Sequence, residues 1–358
     1  MKYLIARQPI FDSTEAVIAY ALLLGFEVDQ LILNSEMQSE LPDDLRNSLF
    51  GSQESVDKEA SDVCVAISPQ FMLGDELAQL SSKSVILFLK NQFIIDDRHV
   101  AALIRWKKEG FRIALGAYAT EDQYTQIAEL ANFLIADFKS IGQAKRNIIP
   151  IWCSSYRIKS IARNLETRAA FDQAKKLNYD GFHGQFFYKP EYVEKNDIPA
   201  FKVNYMRLLQ EINQGEISFD KLDSIIKQDV SLTFKLLKYI NSAAFGLRSE
   251  IESVKHALNM LGIKLVKKWA TMVTLTSIGK DVPEEALITS VLRGKFLEEL
   301  GNKSGHRDRV DDFFFMGIFS MIDLFFSRPI DELLEEIPIH SDIKGAILRN
   351  EGQLSGFL

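Results

Sequence analysis

Hydrolytic chemistry takes a metal ion held by clustered ligands, or a nucleophile set beside a base. The chain carries five histidines and two cysteines for such work. His99, His183, His256, His306 and His340 stand singly, with no two at the HxH or HxxxH spacing that puts a pair on one metal. Cys64 (VCVAI) and Cys153 (IPIWC) lie in apolar runs, a setting for buried reduced thiols rather than a disulfide or metal site. One carboxylate, Asp323, lies within the apolar stretch FFFMGIFSMIDLFF. Asp323 reads as a satisfied buried or edge carboxylate. No metal and no cofactor is expected.

The charge balance narrows the partners. Net charge is −7, and residues 1–200 and 201–358 are each slightly acidic, so neither half is a phosphate-backbone binder. Lys264, Lys267 and Lys268 form one small basic cluster, expected to be a solvated helix face. The greasiest stretch, 313–326, is shorter than the roughly 20 residues that span a bilayer and contains Asp323. MKYLIARQPIF breaks too early for a signal peptide, so the expected location is cytoplasmic.

The elements that position these residues follow two grammars. Up to about residue 190, short apolar runs alternate with amphipathic stretches: YLIAR, VIAYALLL, VCVAI, SVILFL, RIALG, FLIAD, IPIWC and GFHGQFF. Eight candidate strands, apolar on both faces and interleaved with helices such as 96–110 and 120–130, predict a compact (β/α) barrel. No glycine-rich phosphate loop follows any strand, which disfavours a doubly wound sheet. PEYVEKNDIPAF (190–201) reads as a linker. Beyond it the pattern is all helical: 201–213, 218–228, 231–241, 253–261, 263–278, 284–300, 309–326, 330–336 and 341–349, with Gly262 and Gly301 as stops. The expected domains are 1–197 and 198–358; residues 27–60 are the least legible.

ARQPIFDSTEAVIAYALLLGF resembles the opening of an EAL domain, the barrel that hydrolyses cyclic di-GMP, with Gln8, Pro9 and Ile10 as its QPI. KQDVSLTFKLLKYINSAAFGLRSEIESVKHALNMLGIKLVKKW is similar to an HDOD domain, a helical relative of HD phosphohydrolases that usually lacks their catalytic residues. The resemblance implies a two-domain bacterial signalling architecture, an EAL-like TIM-type barrel followed by an all-α module.

Carried over position by position, it also implies a dismantled metal site. The strand-two Glu falls on Ala21, the strand-three Asn on Ala66 and the strand-four Glu on Leu87. The Asp pair of strand five falls on Gly116 and Ala117, the strand-six Lys on Ile135, and the dinucleotide-holding Arg on Gly25. Asp137 and Glu166 remain, and with Gln8 and His183 they are the weak ligand-binding candidates. The HD doublet is likewise replaced by Ser320 and Met321. The implied function is a non-catalytic signalling scaffold whose partners are regulatory proteins, a sensor kinase or a cyclic-di-GMP enzyme. The alternative is a receptor that binds cyclic di-GMP without cutting it.

Overall fold

The computed structural model describes residues 5–24, 32–33, 62–80, 82–188, 200–247, 249–279 and 282–358. They fall into two compact units, Met1–Phe186 and Phe187–Leu358. The expected domain boundary at 197/198 and most of the expected linker lie outside the described residues. So does the 27–60 region except for Ile32–Leu33.

The first unit is a closed barrel. Strands β1 (Ile5–Phe11) and β2 (Val17–Leu24) form an antiparallel hairpin. Its turn is closed by the Asp12 carboxylate, which accepts from Thr14 N at 2.7 Å and Ala16 N at 3.1 Å, an Asx-type turn. Strands β4 (Asp62–Ile67), β5 (Val85–Leu89), β6 (Arg112–Gly116), β7 (Phe133–Asp137), β8 (Lys159–Arg163) and β9 (Gly181–His183) follow in parallel order. β1 closes antiparallel on β9 and β2 closes parallel on β4, so eight strands complete the ring. The two-residue β3 (Ile32–Leu33) adds to β4 from outside the ring.

Side chains alternating inward fill the interior: Ile10, Ala19, Ala21, Cys64, Ala66, Ile86, Phe88, Ala114, Ile135 and Ile161. Helices α1 (Pro69–Leu73), α2 (Asp97–Lys108), α3 (Thr125–Ala128), α4 (Gln143–Tyr156) and α5 (Arg168–Lys176) connect the parallel strands.

One predicted strand is a helix. IPIWC lies inside α4, and the strand is KSIAR, ten residues further on. The buried residues of α4 are Ile149, Pro150 and Cys153, while Ile148 and Ile151 are exposed, a helical rather than a period-2 pattern. Pro150 removes the N–H that would bond to the Arg146 carbonyl. Tyr179 supplies the replacement, its hydroxyl donating to Arg146 O at 2.9 Å. The helix expected over 120–130 shrinks to the four-residue α3, with 3₁₀ turns leading into it.

The second unit is helical: α6 (Ala200–Ile212), α7 (Phe219–Lys227), α8 (Val230–Ile240), α9 (Val254–Ile278), α10 (Glu284–Lys303), α11 (Val310–Phe319), α12 (Ile322–Phe326), α13 (Ile330–Glu336) and α14 (Ser341–Arg349). The stop expected at Gly262 is a kink within α9, where φ is 71° and ψ is 166°. The helix expected over 309–326 breaks in two. Ser320 Oγ donates back to Gly317 O at 2.8 Å, and Met321 N bonds to Ile318 O, a tightened last turn. The basic cluster is partly neutralised: Lys264 meets Asp311 at 3.0 Å, and Lys268 meets Glu298 at 2.7 Å and Asp311 at 2.9 Å.

Candidate functional site at the barrel mouth

The C-terminal ends of parallel barrel strands converge on one mouth, where such folds place their chemistry. Here it is a cavity of about 310 Å³. Its lining includes Phe88 and Lys90 from β5 and its end, Gly116 and Ala117 after β6, Ile135 and Asp137 of β7, and Arg163 of β8. Beneath it a floor space of about 10 Å³ is lined by Ile10, Ala21, Cys64, Phe88, Ile135, Ile161, Arg163 and His183.

The sequence candidates divide. Ala21 and Ala66 belong to the inward layer, and Gly116 and Ala117 line the mouth. Leu87 does not face it. In β5 the inward side chains are Ile86 and Phe88, beside Cys64 and Ala66, while Leu87 pairs with Val65 and Ile113 on the outer face. The inward side chain nearest the mouth on β5 is therefore Phe88. Gln8 sits opposite Ala21 in the β1–β2 ladder and is half-buried. Gly25 lies outside the described residues.

Asp137 reaches the mouth, but both carboxylate oxygens are engaged. Oδ1 accepts from Lys139 N at 2.9 Å and Oδ2 from Asn164 Nδ2 at 2.9 Å. Glu166 is exposed, pairs with Lys139 at 3.3 Å and does not line the cavity. The fold does not bring the two retained carboxylates together as a ligand pair.

Two polar residues meet deep in the barrel. His183, on β9, is 3% exposed, and neither ring nitrogen has a hydrogen-bond partner. Burial, helped by the charge of Arg163, pushes its pKa down to about 3, so the ring is neutral. Cys64 is pushed up to about 12 by burial, an inert thiol. Cys153 is buried and free as well. Arg163, 7% exposed, lines both the floor and the mouth. Sequence reading missed it because the strand that carries it was placed at IPIWC. The signal was the alternation in KSIAR, where an inward Ile161 puts Arg163 inward too.

A hard cation does not fit this mouth. The inward positions are Ala21, Ala66, Phe88, Gly116 and Ile135, none with a side-chain oxygen, and a guanidinium points into the same space. Among the described residues no three His, Cys, Asp or Glu side chains come together as a metal site. In the helical unit, Asp323 is partly buried, its pKa raised by that burial, and its carboxylate accepts from Leu324 N at 3.0 Å. Among the described residues no helix is long and apolar enough to cross a membrane.

Comparison with known proteins adds the following. Residues 198–337 match the HDOD domain model. The uncharacterized protein YuxH of Bacillus subtilis is 24% identical over 359 residues, covering 98% of this chain and 88% of that protein. The cyclic di-GMP phosphodiesterase CdgJ of Vibrio cholerae is 27% identical over 202 residues, 56% of this chain and 47% of CdgJ, so the match spans about half of that relative. Solved structures similar to this chain include an EAL domain protein from Listeria monocytogenes, with a TM-score of 0.37 at 12% identity over 52% of this chain and 87% of that one. Another is the YkuI protein of Bacillus subtilis, with an EAL domain and in complex with c-di-GMP and calcium, with a TM-score of 0.43 at 14% identity over 65% of this chain and 72% of that one. Residues 198–337, which match the HDOD domain model, follow in sequence a closed eight-stranded barrel.

Proposed function

We propose that this chain is a non-catalytic signalling protein, an EAL-type barrel without its metal ligands joined at about residue 198 to an HDOD domain. It acts by holding regulatory proteins, a sensor kinase or a cyclic-di-GMP enzyme, rather than by turnover. One observation carries the reading. The inward ring at the mouth is Ala21, Ala66, Phe88, Gly116 and Ile135, and its carboxylate, Asp137, is occupied by Lys139 N and Asn164. A barrel can keep its fold while losing its chemistry, because the fold rests on the layered core and the chemistry on a few strand ends. The cytoplasm, where cyclic-di-GMP signalling proteins would be met, is the compartment this reading requires.

A second reading, a receptor that binds cyclic di-GMP without cutting it, draws on a different observation: Lys90, Lys145 and Arg163 line an open mouth. Calorimetric titration with cyclic di-GMP, with and without Mg²⁺, separates the two. The scaffold reading predicts no saturable heat under either condition. Saturable heat without Mg²⁺ replaces it with the receptor, and saturable heat only with Mg²⁺ contradicts both.

A further inference from the structure

The barrel has a second concave surface, at the end away from its mouth. β8 runs from Lys159 to Arg163, and Arg163 lines the mouth, so Lys159 stands at the foot. There a groove of about 720 Å³ opens between the last turn of α4 and the segment that leads from α5 into β9. Ile151 and Leu177 give it an apolar wall, and Arg157 and Lys159 a basic rim. Ile151 is 72% exposed, and Ile148, one turn earlier on the same helix, is 58% exposed. Apolar side chains left in water beside a groove are contacts waiting for a partner.

The rim arginine sits on an unusual backbone. Arg157 caps α4 at φ 56° and ψ 37°, the left-handed conformation. Glycine and asparagine adopt it at least cost, and the chain uses them at most such positions, among them Gly110, Asn164, Asn178 and Asn350. The helix end does not need an arginine there, which points to a use for its side chain.

Charge selects the occupant. Among the described residues neither Arg157 nor Lys159 pairs with a carboxylate. Asp180 on the groove wall accepts at Oδ2 from Ser160 N at 2.8 Å and Ser160 Oγ at 2.9 Å. Lys176, exposed beside Leu177, adds to the positive side. On a chain of net charge −7, such a basic and apolar face is complementary to carboxylates flanking an apolar side chain. A second copy meeting this face about a two-fold axis would set cation against cation.

We propose that the groove at the foot of the barrel docks an acidic segment of a partner protein, its carboxylates on Arg157 and Lys159 and an apolar side chain against Ile151. This rests on the reading of the chain as a protein that holds partners, and it gives that reading a surface at the end opposite the mouth.

The test selects phage-displayed random peptides on the full-length protein, after depletion on a double variant, Arg157→Glu with Lys159→Glu. Enriched peptides are expected to carry an excess of Asp and Glu around at least one large apolar residue. Once synthesised, they should bind saturably and more weakly as NaCl is raised. Affinity should fall about tenfold or more in the double variant, and fall also in Ile151→Ala. Arg157→Asn separates docking from folding. Asparagine suits the left-handed backbone, so the melting point should hold or rise while peptide affinity falls. No enrichment, enriched peptides without an acidic excess, or affinity unchanged in Arg157→Asn and the double variant overturns the proposal. With no peptide enriched, binding to phosphatidylglycerol vesicles or self-association that the double variant loses assigns the groove to a membrane or to a second copy instead. None of these failures touches the reading of the mouth, which turnover of cyclic di-GMP tests separately.

Discussion

His183 shows how far a single side chain can be read from its surroundings. Its pKa in the fold is about 3, below the ordinary 6.5, because burial and Arg163 both disfavour the imidazolium. As pH falls through 6.5, the unfolded chain takes up a proton that the folded chain refuses. The stabilising difference is whole above that pH and is lost as pH falls toward the folded pKa. Between pH 7 and pH 5, His183→Gln should lose about 2 kcal/mol less stability than wild type. Urea unfolding at the two pH values measures it, and parallel losses in the two proteins would show that His183 is not buried neutral. Gly116 makes a different point. A Cβ there would lie 2.6 Å from Lys90 O and 2.9 Å from the Tyr118 ring, which is fixed by its hydroxyl donating to Leu89 O at 3.0 Å. The immediate surroundings of Gly116 leave no room for a side chain. Gly116→Asp should therefore destabilise by about 1–3 kcal/mol and restore no cation affinity; a melting point raised by Mg²⁺ in that variant would contradict this. The sequence gives no sign that Phe88 faces inward and Leu87 outward, because an all-apolar strand carries no polar marker of its faces. It passed over Arg163 because its strand had been set in the wrong segment.

Elements were legible where periodicity and punctuation agreed. The helices of the second unit were legible from their periodicity, but their glycine stops only in part: Gly262 is a kink within α9, and α10 runs through Gly301 to Lys303. The failure at IPIWC is instructive. β-branched residues and a proline argue for extended chain. Packing of Ile149, Pro150 and Cys153 wins, helped by a hydrogen bond that no local reading can see. Removing that bond with Tyr179→Phe leaves the Arg146 carbonyl without its donor at the proline break. A loss of about 1–2 kcal/mol in barrel stability is expected by chemical denaturation, and an unchanged midpoint would mean that water replaces the hydroxyl. The helix pair α10–α11 depends on glycine for a steric reason. A Cβ on Gly317 would stand 2.7 Å from the Arg293 carbonyl and Gly294 Cα, and one on Gly294 would stand 2.9 Å from Ile318. Backbone cannot give way as a side chain can. Gly317→Ala should destabilise the helical unit by at least about 2 kcal/mol, whereas Gly215→Ala, where a Cβ meets nothing within 4 Å, should not. Equal melting of the two variants would contradict the close crossing.

Across the whole chain, the alternation of strand and helix followed by helices alone was enough to announce a barrel and then an all-α unit. What it did not announce was the sense of β1. The barrel opens with a hairpin, so β1 runs against both neighbours while β2 rejoins the parallel set at β4. Period and length carry no direction, and only the short Asx-closed turn at Asp12 hints at it. The central claim concerns the mouth of that barrel: apolar and glycine positions with a buried guanidinium in place of a cation clamp. Its most direct test is turnover of cyclic di-GMP by the purified full-length protein with Mg²⁺ or Mn²⁺ added, followed by separation of nucleotide products. The account predicts no linear dinucleotide above the metal-only control. Metal-dependent product formation that scales with protein and disappears with chelator would contradict it.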